Sequence, residues 1–198
     1  MDNINKIDRR SALKRTALYV GGAVSLPTVL GLLKSCKPAT PNWTPVSFSP
    51  EIGKSLVAIV DHLAPRSGNI PSASELGIHD FIDKMVSDIY TEDKRKEFVE
   101  GLIALDKRAK EDMGDVFYEL SSDDQLKYLK KLDQEAYDDT HGGKNPDKQP
   151  YFYNLKWITM SGYFNTEIVS TEVLNYVAVP GRWESCIPLE EGQPAWAE

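Results

Sequence analysis

The sequence predicts an all-α protein: a compact bundle of about five helices, an irregular aromatic-rich C-terminal tail, and a signal segment ahead of both. Three observations carry this. Between residues 49 and 164 the apolar residues recur at helical spacing. Capping residues, proline or glycine bound each of those runs. Only Val177-Ala178-Val179 alternates or branches enough to suggest a strand.

Residues 1–35 read as a twin-arginine-type export signal. Arg9 and Arg10 stand in a basic head, followed by Leu13-Lys14 and then by eighteen uncharged residues from Thr16 to Leu33. Asp8 and Ala12 depart from the usual twin-arginine pattern, and a general secretory head is the alternative. The apolar segment could just span a bilayer, but Gly21, Gly22, Ser25, Pro27, Thr28 and Gly31 lower its hydrophobicity, which suits a signal better than a permanent span. Leu33, Ser35 and Cys36 fit a lipoprotein processing box in which Cys36 becomes the acylated residue, while Lys34 departs from it. Two other readings of Cys36 are an unmodified cysteine in a leader that is cut away and a cofactor-attaching cysteine, although no CxxCH or similar partner sits nearby. Residues 36–48 form a Pro-rich tether, and 49–198 the helical domain.

Ser49-Pro50-Glu51 opens the first helix, with a cap, a proline at the first position and an early acid. Ile52, Leu56, Ile59, Val60 and Leu63 form its stripe, and Pro65 stops it. Ser74-Glu75 opens a second helix with Ile78, Phe81, Ile82, Met85, Val86 and Ile89 inward. Thr91 caps a third, with Phe98, Leu102, Leu105 and Ala109 inward and Gly114 at its end. Ser122 and Gln125 have capping-box spacing for a fourth, whose stripe is Leu126, Leu129, Leu132 and Ala136. Asp138 to Pro150 reads as a loop, and Tyr151 to Phe164 as a fifth helix.

Composition narrows the partners. Residues 1–35 hold six Lys/Arg and two Asp/Glu, so the remainder keeps 23 − 6 = 17 basic and 30 − 2 = 28 acidic residues, a net charge of −11. Such a surface disfavours nucleic acid and anionic lipid. Beside Cys36 only Cys186 is present, so no internal disulfide framework is expected. Catalytic patterns are lacking in the sequence. His62, His79 and His141 have no second ligand at metal spacing, and Asp61-His62 are helical neighbours that do not face each other. Asp80, Asp83 and Asp88 have the spacing of a solvated face. No GxGxxG, P-loop, GxSxG or haem-attachment motif occurs, so no cofactor is expected in this chain.

What stands out is aromatic: Tyr151, Phe152, Tyr153, Trp157, Tyr163 and Phe164 on one helix, then Tyr176, Trp183 and Trp196. Phe152, Leu155 and Trp157 are expected to close the core. Tyr163, Phe164, Pro180, Gly181, Trp183 and Cys186 are the candidate partner interface, since large rings in a short tail exceed what the bundle can bury. Cys186, unpaired in an oxidising compartment and flanked by Pro180-Gly181 and Pro188, is a candidate for a disulfide to another chain.

The run Ile59-Val60-Asp61-His62-Leu63-Ala64-Pro65, then Pro71 to Ile78 and Phe81-Ile82, resembles the opening of the gluconate 2-dehydrogenase subunit 3 family. So do Ser161 to Glu167, Tyr176 to Gly181 and Cys186-Ile187-Pro188, over about Ser49 to Trp196. The resemblance implies a non-catalytic small subunit of a membrane-associated sugar or sugar-acid dehydrogenase. It implies an FAD-containing large subunit of the glucose–methanol–choline type, with a cytochrome c subunit carrying haem c as a third component. It also implies that the twin-arginine signal of the small subunit exports the folded flavoprotein to the periplasmic side, where signal or lipid holds the complex at the membrane. A stand-alone exported adaptor lipoprotein with no redox partner is the alternative.

Overall fold

The computed structural model describes residues 43–141, 150–177, 179, 181, 186, 188 and 190–197. The expected signal, Cys36, Pro180 and Trp183 lie outside them. Helix α1 (Pro50–Leu63) starts as its sequence dictates: Ser49 Oγ accepts the Ile52 amide at 3.3 Å, and Pro50 takes the first turn. Leu56, Ile59 and Val60 are fully buried, and small Gly53 and Ser55 beside them keep the buried face low. This is the central helix, touching every long helix that follows.

The second helix begins later than expected. Ser74 is held outside it by Asp61, whose carboxylate accepts both the Ser74 amide (2.8 Å) and its hydroxyl (2.7 Å). Gly77 then takes a left-handed conformation (φ 74°), which a residue with a Cβ adopts only with strain, and α2 runs Ile78–Lys84. Its last turn widens into a π turn, Met85–Ile89, whose Val86 and Ser87 carbonyls accept the Arg95 guanidinium at 3.1 and 2.5 Å. Helix α3 (Glu92–Met113) ends at left-handed Gly114, and a short 3₁₀ turn (Phe117–Glu119) leads to α4 (Ser122–His141).

The cap of α4 sits one residue earlier than the sequence spacing indicates. Ser121 Oγ accepts the Asp124 amide (3.2 Å) and donates to its carboxylate (2.7 Å), so Ser121 and Asp124 cap the helix where Ser122 and Gln125 were expected to. Gln125 is thereby free to turn inward, and Leu126 is exposed rather than on the core stripe. Helix α4 also continues through Asp138 to His141, where a loop was expected. Helix α5 (Tyr151–Phe164) follows, and a sixth, unexpected helix, α6 (Glu167–Glu172). Strand pairing falls beside the expected Val177 run: β1 (Asn175–Tyr176) lies parallel to β2 (Trp196–Ala197), with the Asn175 amide on the Ala195 carbonyl at 2.8 Å.

Two close helix approaches depend on glycine. Phe81, expected in the core, is 39% exposed because its ring lies across α5 at Gly162, where a Cβ would come within 2.8 Å of it. Gly101, in mid-α3, receives the ring of Tyr151 in the same way, which accounts for a residue that weakens a helix interior. Ile89, also expected inward, is exposed at the end of the π turn.

A buried polar network ties the centre together. Asp106 of α3 (7% exposed) accepts Ser55 Oγ of α1 at 2.6 Å and the Phe117 amide at 3.0 Å. Gln125 donates to the Phe117 carbonyl (2.8 Å) and its Oε1 meets His62 Nε2 at 2.7 Å. Tyr128 donates to the Leu105 carbonyl (2.9 Å), and burial pushes its hydroxyl pKa up to about 12. Thus His62 is a structural partner of Gln125. Asp83 is likewise not on a solvated face: it is buried, and its carboxylate accepts the Val46 and Ser47 amides at 2.7 and 2.8 Å. That clamp packs Phe48 into the core, so residues 44–48 of the expected tether belong to the folded unit. Asp88 is exposed, and Asp80 is half-buried and paired with Lys84 at 2.7 Å. His79 is buried, and burial pushes its pKa below the ordinary histidine value, leaving it neutral at pH 7.

The hydroxyl of Tyr151 is buried without a hydrogen-bond partner, and burial raises its pKa. Leaving such a group unpaired costs about 1–3 kcal/mol. Tyr151→Phe is therefore expected to keep or raise the melting temperature. A loss of several degrees in a thermal scan would mean that the hydroxyl is bonded in solution.

Candidate partner interface

Helix α5 builds the surface in question because it is apolar on every side. Phe152, Leu155, Ile158 and Tyr163 point into the bundle, and Tyr153, Trp157 and Phe164 are left outside. Trp157 is 63% exposed, so it does not close the core as Phe152 and Leu155 do. Its position, two residues from Leu155 and one from Ile158, places it about 100–200° around the helix from both. Tyr153, four residues earlier, lies on the same outer face. Tyr137 of α4, 58% exposed, flanks them. Lys156, between Tyr153 and Trp157, pairs with Asp133 of α4 at 2.7 Å.

The interface candidates read from the sequence fall elsewhere. Tyr163 is buried, and its hydroxyl donates to the Pro71 carbonyl at 3.1 Å, so the ring offers no accessible face. Phe164 packs edge-on against it and is 40% exposed. Further along the chain, Ile168, Val173, Tyr176, Val179 and Trp196 are exposed too. Gly181 is exposed, Cys186 is an exposed free thiol, and Pro180 and Trp183 lie outside the described residues.

Sequence reasoning missed Tyr137, Tyr153 and Trp157 as a surface. The spacing carried no signal that separates the faces; only in the structure do Phe152, Leu155, Ile158 and Thr159 form one buried face of α5, which leaves 153 and 157 opposite. Among the described residues no cluster of His, Cys, Asp and Glu could hold a metal ion, and no helix is long and apolar enough to cross a membrane.

The searches of curated proteins and of solved structures return no match. A model of the family described as gluconate 2-dehydrogenase subunit 3 matches residues 51–181, from the first turn of α1 to the glycine beyond β1. With about two thirds of its length in that match, the chain belongs to the gluconate 2-dehydrogenase subunit 3 family.

Proposed function

We propose that this chain is the exported, non-catalytic small subunit of an FAD-dependent sugar or sugar-acid dehydrogenase complex. Its partner is a large subunit of the glucose–methanol–choline type, which holds FAD and oxidises a hydroxyl group. A cytochrome c subunit with haem c is the third component. The small subunit stabilises the flavoprotein and escorts it, already folded, through the twin-arginine route read from Arg9, Arg10, Leu13 and Lys14. The complex works on the periplasmic side, held at the membrane through Cys36 acylation or the leader. Cys186, an exposed free thiol, is the candidate for a disulfide to the large subunit.

The observation that carries this reading is the family match over residues 51–181. The accessible aromatic rings of α4, α5 and the tail support it, since large rings of this kind anchor protein interfaces. Affinity capture of the tagged full chain from native membranes tests it. A co-purifying yellow protein with flavin absorbance is the expected result. Capture of this chain with no flavoprotein would overturn the reading in favour of a stand-alone adaptor.

A further inference from the structure

Among the described aromatic residues Trp157 is the most exposed, and it stands between two grooves. The larger, about 830 Å³, lies between α3 and α5 and is lined by Tyr90, Phe98, Gly101 and Tyr151. The smaller, about 330 Å³, lies between α4 and α5 and is lined by Ala136, Tyr137 and Met160. A ring exposed between a mostly apolar groove and a larger one of mixed apolar and polar lining has the arrangement of an interface centre, where a few large residues carry most of the binding energy.

The charge at the edges says what fits there. Glu97 and Asp139 border the larger groove against Lys94. At the smaller groove Lys156 is already neutralised by Asp133. Among the described residues the rim therefore carries a small acidic excess, Glu97 and Asp139 against Lys94, on a chain whose residues 36–198 carry −11. A second copy of this chain would meet like charge, whereas a partner with lysine or arginine around an apolar segment would meet its complement.

We propose that the Trp157 face is where the large subunit docks, through an apolar segment edged with basic residues that straddles Trp157 and enters both grooves. This inference rests on the reading that such a flavoprotein partner exists. Phe164 lies about two turns along α5 from Trp157, toward the tail, and lines neither groove.

The test measures flavoprotein binding to the full chain in a Cys186→Ser background, so that no covalent bridge holds the pair. If the unsubstituted Trp157 chain binds no flavoprotein, the functional reading fails, whatever this face does. Given binding, Trp157→Ala is expected to weaken it by about 30-fold or more, with an unchanged melting temperature because the ring is exposed. Phe164→Ala is expected to bind within a few-fold of the parent. Glu97→Lys with Asp139→Lys is expected to weaken binding at low salt, with the loss shrinking as salt rises. Undiminished binding by Trp157→Ala overturns the docking face, and unchanged or tighter binding by the charge reversal overturns its basic partner. A Trp157-dependent dimer of this chain alone, seen by sedimentation, would assign the face to self-association instead.

Discussion

Changing Arg9 and Arg10 together to lysine is expected to leave both this chain and the proposed flavoprotein partner in the cytoplasm. The substitution preserves the positive charge of the head, so a general secretory signal would tolerate it; a route that reads the arginine pair itself would not. The two outcomes therefore separate the export routes. Fractionation with flavin absorbance and immunodetection in each compartment gives the answer. The expected result is loss of most of the exported pool of both subunits, with periplasmic dehydrogenase activity falling in step. Export of this chain but not the partner would sever the escort role from the signal. Normal export of both would remove the twin-arginine reading.

The largest stability effect is expected at Asp106. Its carboxylate joins three elements, accepting Ser55 from α1 and the Phe117 amide from the 3₁₀ turn while anchored on α3. Asp106→Ala leaves the Phe117 amide and the Ser55 hydroxyl unpaired in the core and opens a small void. Together these cost about 3 kcal/mol. For a domain of this size that lowers the melting temperature by roughly 6–12 °C. Asp106→Asn keeps an acceptor oxygen and is expected to lose less than half as much. A loss below about 1 kcal/mol in denaturant unfolding would show that water replaces the carboxylate at no cost. By comparison, the exposed Lys131–Asp112 and Arg66–Glu75 pairs each contribute little, because solvent screens them.

The helices were largely legible because their signals are local. Ser49-Pro50 begins α1, Gly114 ends α3, and the inward residues Leu56, Ile59, Leu102 and Leu129 recur at the helical period. The errors arose where a local signal had competitors. Both Ser121 and Ser122 can cap α4, and only the inward turn of Gln125 to the Phe117 carbonyl decides between them. Ser74 looks like a helix start until the Asp61 carboxylate claims its amide. Asp83 looks like a surface acid, since nothing in the spacing of α2 announces that Val46 and Ser47 bring their amides to it.

The candidate interface was less legible for a different reason. A helix that is apolar all round does not declare which face is buried. Trp157 and Tyr163 are alike in composition and separated by six residues, yet the first is open and the second donates to Pro71. Which of them turns inward depends on α2 and on the Pro71 loop, joined to α5 only through long-range packing.

By itself the sequence determined the all-α class, the order of the main helices and membership of the family, because periodicity, caps and ordered motifs are written along the chain. Tertiary structure alone decided where Asp83 and Asp106 are buried, that Gly101 and Gly162 admit rings from neighbouring helices, and that Trp157 faces outward between two grooves. Each of these depends on the approach of segments far apart in sequence, and no local pattern encodes the distance between them.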